Sequence, residues 1–405
     1  MFQADFRGIF PCATLTEAKR YDIFWLIIFD NVKWRCVTIM QENMQDQGIV
    51  SQAYDFHLCG EPMFCTRYGN GHINTTYLLV DTTARQYILQ KINSNVFRNP
   101  QGVMENIAAV TTYLRSKANS SREVLSLIPT KGGDSWLVGE QGDFWRMYPF
   151  ISDSLCLDRP ESSQDFKESG IAFGHFQRLL SQFPADTLTE TIPNFHNTPV
   201  RYQRFKEVLA ADPMGRAKDV QAEIDFVLAR ESYASTLMDL LAAQAIPLRV
   251  THNDTKLNNV LFDRESRTAL CVIDLDTVMP GLAAHDFGDS IRFGASTALE
   301  DEVDLSKVTL SLPLFEAYTE GFLASCGSDL TETEILHLRD GVKMMTLECG
   351  LRFLTDYLEG DVYFRTTRPG HNLDRARTQL KLVSEIETYW SQLQDIILKN
   401  RTVSS

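Results

Sequence analysis

Apolar positions recur with a period near two in the first part of the chain and near 3.6 in most of the rest. Between about Ser51 and Phe150 the runs read as strands: Arg67 to Val80 as strand, Gly-Asn-Gly turn and strand, Gln86 to Ile92 as a short strand, and Asp143 to Ile151 as another. One helix interrupts them, Gln101 to Lys117, with Val103, Ile107, Val110 and Leu114 on one face. After Ile151 the spacing turns helical over Asp165 to Phe183 and Tyr202 to Ala211. Ile224, Val227, Leu228, Leu237, Leu240 and Leu241 then predict one long amphipathic helix. Two short strands, Leu248 to Thr251 and Leu270 to Ile273, precede further helices from Leu312 to the end. A β-rich segment 46–150 followed by a mostly helical segment 151–405 predicts an α+β protein of two lobes with a cleft between them.

Composition narrows the function classes. Lys plus Arg total 39 against 53 Asp plus Glu, a net charge of -14. Such a surface repels phosphate backbones and disfavours a nucleic-acid partner. The eight cysteines are scattered without a CxxC, and no HExxH occurs, so reduced thiols in a cytoplasmic protein are expected and no zinc site. The longest apolar run, Ile23 to Phe29, falls far short of the ~20 residues that span a bilayer, so no membrane association is expected. Residues 1–45 look foreign to the rest, and Met40 and Met44 close them. Two readings stay open there: a true start at one of these methionines, or an N-terminal helix that docks on the body.

The chemistry concentrates in Thr251-His-Asn-Asp-Thr-Lys-Leu-Asn-Asn259 and in Val272-Ile-Asp-Leu-Asp276. Phosphoryl transfer from ATP needs a carboxylate to orient an attacking hydroxyl, oxygen ligands for Mg²⁺, and cations with backbone amides around the phosphates. Asp254 is the candidate base. Asn259 stands five residues on, the base-to-metal-ligand offset of a kinase catalytic loop, and Asp274 ends the next apolar strand as the second candidate Mg²⁺ ligand. Upstream, Gly69, Gly71 and Asn74 form a turn whose backbone can approach phosphate. Lys91 ends the following strand as the candidate phosphate cation, with Glu105 on the next helix as its expected partner. Asp286, within His285-Asp-Phe-Gly-Asp289, is expected to brace the catalytic loop, because Asp274 already fills the metal position at better spacing. Lys256, two residues after the base, is either a γ-phosphate cation or a solvated loop lysine.

With these motifs the chain resembles the aminoglycoside phosphotransferase/choline kinase superfamily of small-molecule kinases and, within it, the N-acetylhexosamine 1-kinases. The resemblance rests on the His252-Asn-Asp254…Asn259 loop, the Ile273-Asp-Leu-Asp276 strand end, and the stretches 68–78, 286–303 and 348–365, and it covers roughly Asp55 to Leu393. It implies a protein-kinase-like fold and transfer from Mg-ATP to the anomeric hydroxyl of GlcNAc or GalNAc, giving the α-1-phosphate; a kinase of another small alcohol, of aminoglycoside, homoserine or choline type, and a non-catalytic nucleotide-binding pseudokinase are the alternatives. It also implies a hinge at 146–151, with Tyr148 and Phe150 meeting adenine. The sugar would lie among His72, Asp254, Phe293, Arg352 and Tyr363. The expected partner is a small sugar; oligomeric state is left open, with a monomer as the default.

Overall fold

In the computed structural model, which describes residues 51–69 and 73–401, the alternating runs pair into a five-stranded antiparallel sheet. Its strands are β1 (Pro62–Arg67), β2 (Thr75–Asp81), β3 (Gln86–Lys91), β4 (Leu137–Val138) and β5 (Phe144–Pro149), in spatial order β1-β2-β3-β5-β4. The register sets Gln90 opposite Thr76 and Arg146, and Lys91 opposite Thr75 and Trp145. Opposite residues share a face and successive residues alternate. One face therefore carries Thr76, Ile88, Gln90, Arg146 and Tyr148, and the other carries Thr75, Tyr77, Lys91 and Trp145.

The first face is covered by helix α1 (Pro100–Arg115). Asn99 caps it by accepting the Gly102 amide at 3.0 Å, and Pro100 enters where its missing N–H costs nothing. Val103, Met104, Ile107 and Val110 of α1 bury with Tyr148, and Ile88 packs against them.

The remainder is mainly helical: α2 (Ser163–Leu179), α3 (Thr198–Ala211), α4 (Gln221–Leu228), α5 (Thr236–Ala242), α6 (Ala283–Gly294), α7 (Leu312–Cys326), α8 (Glu332–Leu336), α9 (Leu338–Glu359), α10 (His371–Thr388) and α11 (Trp390–Asn400). Two small antiparallel sheets support the catalytic segment. One joins β6 (Ser154–Cys156), β8 (Val260–Asp263) and β9 (Ala269–Val272); the other pairs β7 (Arg249–Thr251) with β10 (Met279–Gly281). Phe166, Phe173, Phe287, Phe315, Tyr318 and Phe322 centre the helical core. Helices α6 and α9 touch backbone to backbone: a Cβ on Gly341 would stand 1.9 Å from the Ala284 carbonyl oxygen, and one on Gly288 would stand 2.3 Å from that of Gly341.

The α+β expectation holds, but the long helix predicted over Ile224 to Leu241 is two helices, α4 and α5, separated by a 3-10 turn at Glu231–Tyr233. The apolar stripe serves two cores. Ile224 and Val227 bury with Leu351 and Leu354, whereas Leu237 buries with Ile246, Leu282 and Met344. At the break, Arg230 donates to the Phe226 carbonyl and to both carboxylate oxygens of Glu387, which fixes the bend. Strands β4, β6 and β10 are two or three residues long, too short to show a period. Among the described residues no helix is long and apolar enough to cross a membrane, and Cys59, Cys65, Cys156, Cys271, Cys326 and Cys349 are free thiols. The reading of residues 1–45 lies outside the described residues.

Candidate active site

The catalytic loop is held from below by one face of α6. Asp286, Asp289 and Ser290 stand at i, i+3 and i+4, so all three point the same way. Asp286 accepts the backbone N–H of His252 at 2.9 Å and of Asn253 at 2.8 Å, and the Gln177 amide at 2.8 Å. Asp289 accepts the Thr255 N–H at 3.1 Å, and Ser290 donates to the Thr255 carbonyl at 2.8 Å. Burial pushes the Asp286 pKa up, against His252 and the backbone donors that favour its charge. His252 packs edge-on to Phe173 and Phe176 and hydrogen-bonds through Nε2 to the Ile273 carbonyl at 2.9 Å. The Ile273 N–H in turn donates to the Asn259 carbonyl at 2.9 Å. This reciprocal tie places Asp274, next to Ile273, beside the loop that carries Asp254 and Asn259.

Asn259 donates its side-chain amide to the Asp254 carbonyl at 2.8 Å and to Asp254 Oδ2 at 3.2 Å, which leaves its amide oxygen as the atom that could hold a metal. Asp274 sits in the left-handed region at φ 59°, a conformation costly for a non-glycine residue and concentrated at functional sites. Desolvation by the surrounding atoms, and then the Asp276 and Asp254 carboxylates, push its pKa up to about 7, although the residue as a whole is exposed; the like charges are the firmer cause. An open carboxylate crowded by like charges and one amide oxygen fit Mg²⁺, which takes few protein ligands and fills its shell from phosphates and water. Lys256 lies 2.9 Å from Asp254 Oδ1. Burial is the largest single influence and opposes charge on Asp254, but Lys256, His252 and Arg292 together hold the carboxyl below its usual range. Asp254 is thus in the charged form that a base would need.

On the nucleotide side, Gly69 has φ 73° with open space around it. Tyr68 packs edge-on to Phe150 at 5.8 Å, which brings the stem of the turn over the segment after β5. Tyr148 is buried on the helix-covered face of the sheet. Gly71 and His72 lie outside the described residues. The expected Lys91–Glu105 pair does not form. Lys91 points from the opposite face of the sheet, binds Asp143 at 2.7 Å and lies 5.8 Å from the Trp145 ring, while Glu105 accepts from Gln101 on its own helix at 2.8 Å. The reason is strand parity: Lys91 shares its face with Trp145, and Gln90 occupies the face toward α1. The cation on that face is Arg146, which is 1% exposed and pairs with the buried Asp276; Asp276 also accepts from Asn74.

On the acceptor side, α9 carries Glu348 and Arg352 one turn apart. Glu348 binds His196 Nδ1 at 3.0 Å and the Thr198 hydroxyl at 2.7 Å, and His196 Nε2 reaches the Asn253 carbonyl at 3.3 Å. That chain joins α9 to the residue before the base. Arg352 is surrounded by the rings of Phe195, Tyr363 and Phe364 at 5.5, 5.8 and 5.3 Å. Asp356 holds the loop that presents Tyr363 and Phe364, accepting the N–H groups of Val362, Tyr363 and Phe364 at 2.7 to 2.9 Å. Tyr363 is 66% exposed. Arg201 donates to the Phe195 carbonyl at 3.0 Å, and its charge is disfavoured by burial and by Arg352. Phe293 is half-buried on the last turn of α6, beside Arg292. Sequence reasoning placed Arg146 only in the expected adenine hinge, although strand parity marked its face, and it gave no role to Phe195, His196, Arg201 or Glu348, which no sequence signal marked.

Solved structures share this architecture at low identity, which speaks to fold alone. An aminoglycoside phosphotransferase from Alicyclobacillus acidocaldarius superposes with a TM-score of 0.60 at 12% identity, covering 89% of this chain and 98% of that one. An amicoumacin kinase, hAmiN, in complex with AMP-PNP, Ca²⁺ and Ami, gives 0.57 at 13% identity over 85% and 93%. A choline kinase from Cryptosporidium parvum Iowa II gives 0.53 at 11% identity over 87% and 98%. The kinase-like fold is therefore shared with kinases of several small alcohols. The family model of the APH phosphotransferase enzymes matches residues 65–319, which contain the sheet, the catalytic loop and Asp274, and the chain belongs to that phosphotransferase enzyme family.

Proposed function

We propose that the chain transfers the γ-phosphoryl group of ATP to the anomeric hydroxyl of an N-acetylhexosamine, GlcNAc or GalNAc, giving the α-1-phosphate and ADP. The nucleotide occupies the cleft between a 46–150 lobe and a 151–405 lobe. The observation that carries the reading is the convergence of Asp254, Asn259 and Asp274 on tied backbone segments, with Lys256 2.9 Å from Asp254. Asp254 orients the sugar hydroxyl and takes its proton as the new O–P bond forms and the bond to the ADP oxygen breaks. Asn259 and Asp274 would hold Mg²⁺, which when bound neutralises charge on the phosphates. Lys256 sits where transition-state charge develops. AMP-PNP and Ca²⁺ in the amicoumacin kinase support a nucleotide with a divalent cation.

The acceptor assignment draws on the Arg352 cluster. A guanidinium walled by aromatic rings can donate to an acetamido carbonyl while the rings cover a sugar face. Two neighbouring guanidiniums, Arg201 and Arg352, with Glu348 as the nearby carboxylate, disfavour a cationic acceptor such as choline or an aminoglycoside. The test is ADP release with Mg-ATP across GlcNAc, GalNAc, other hexoses, homoserine, choline and kanamycin, with ³¹P NMR of the product and Asp254→Asn as control. A C1 phosphate on an N-acetylhexosamine, lost in the control, establishes the reaction. Turnover of choline or kanamycin alone overturns the acceptor assignment.

A further inference from the structure

The face of the sheet toward α1 carries glutamine where β3 would offer a lysine, and an arginine on the neighbouring strand. Gln90 and Arg146 are directly opposite in the β3–β5 ladder, and Arg146 Nε donates to Gln90 Oε1 at 3.0 Å. Gln90 donates onward to the Thr76 hydroxyl at 3.0 Å on β2, the strand that follows the Gly69 turn. The Arg146 guanidinium reaches across to Asp276, and the other oxygen of that carboxylate accepts from Asn74. Asn74 in turn accepts the Asn93 N–H at 3.0 Å. One buried ion pair thus joins β5, the end of the Gly69 turn and the segment two residues beyond Asp274.

We propose that Arg146 replaces the β3 lysine of the nucleotide site: through Asp276 and Asn74 it ties the entry to β2 to the segment that follows Asp274, and its charge offsets that of the phosphates. This rests on the kinase reading above. Arg146 and Asp276 are 1% and 3% exposed, and withdrawing two charges from water has a large desolvation cost that apolar residues of similar volume avoid. A stability role alone is thus weak grounds for such a pair, whereas a site that binds a polyanion uses a preorganised cation. Lys91 cannot do this, because it lies on the other face in a half-exposed pair with Asp143. With Arg146 buried, it acts as a positioning residue through Asn74 and Asp276, not as a surface contact.

The test is titration of the full chain with the fluorescent analogue mant-ATP in Mg²⁺, with no acceptor, alongside ADP-release kinetics and melting temperature. Lys91→Ala is expected to bind within about twofold of the unmodified protein, as for loss of an exposed pair. Arg146→Met is expected to weaken mant-ATP by about tenfold or more while the acceptor KM stays put. The double variant Arg146→Met with Gln90→Lys returns a cation to the same face and is expected to recover most of that affinity. A tenfold loss in Lys91→Ala, or a folded Arg146→Met that binds within about twofold, overturns the proposal. If Arg146→Met does not fold, the double variant and Lys91→Ala decide: a folded double variant still tenfold weak overturns it, and an unaffected Lys91→Ala supports it. Binding needs no acceptor, so a protein that binds mant-ATP yet releases no ADP defeats the kinase reading and leaves the Arg146 comparison standing.

Discussion

Lys256 places its ammonium 2.9 Å from Oδ1 of Asp254, two residues before it. The contact helps to lower the carboxyl's pKa and, in the proposed reaction, would hold a cation beside the transferred phosphoryl. Lys256→Met is expected to lower kcat by about a hundredfold. It also removes the influence that depresses the Asp254 pKa, so the acid limb of the pH–rate profile moves to higher pH. A pH–rate comparison of the two proteins checks both, and an unmoved acid limb would show that Lys256 does not set the charge state of the base.

Asp286 is buried and holds the loop through the backbone N–H groups of His252 and Asn253. Asp286→Asn replaces one acceptor with a donor facing donors, an expected loss of about 1–3 kcal/mol of stability together with a lower kcat. Asp254→Asn keeps the fold and is expected to lose about 100- to 10,000-fold in kcat. Denaturant unfolding separates them: the first moves the midpoint and the second leaves it in place.

Arg352 is held among the rings of Phe195, Tyr363 and Phe364, where the proposed acceptor would meet it. Arg352→Gln is expected to raise the acceptor KM by about tenfold and leave the KM for ATP unchanged. Initial-rate kinetics with each substrate varied in turn give the answer, and an equal rise in both would place Arg352 outside the acceptor site.

His285 is 4% exposed and its Nδ1 has no hydrogen-bond partner among the described residues, next to the His196 ring at 5.3 Å. Burial and His196 push its pKa down to about 3. The unfolded chain, with His near ~6.5, binds a proton that the folded chain refuses. Stability is therefore full above the unfolded value and falls as pH drops from ~6.5 toward the folded one. His285→Leu is expected to flatten that fall, read as unfolding midpoint against pH. Glu348, held down to about 2 by His196 and Arg352 against its burial, adds a second loss that begins only below ~4.5.

Gly341→Ala would put a methyl 1.9 Å from the Ala284 carbonyl oxygen, so α6 and α9 must part. A loss of about 3 kcal/mol or more is expected, with a higher acceptor KM, because Asp286 and Arg352 ride on these two helices. Calorimetry and acceptor kinetics on the same preparation check it.

The sequence by itself determined what depends on local order. The five-residue step from Asp254 to Asn259 and the apolar run ending at Asp274 made the catalytic segment legible, because its geometry is set within 24 residues of continuous chain. The α+β division and the bounds of β3, β5 and α1 followed from periodicity for the same reason. Tertiary structure alone decided which charges face each other. Lys91 and Gln90, as strand neighbours, must face opposite ways, but only the packing of α1 decided which of the two faces the helix. The facing of Tyr148 already implied that of Arg146, two residues away, but not its partner Asp276, 130 residues on. The break between α4 and α5 and the cluster of His196, Arg201, Glu348 and Arg352 were invisible for the same cause: each depends on helices that meet only when their buried faces are matched in three dimensions.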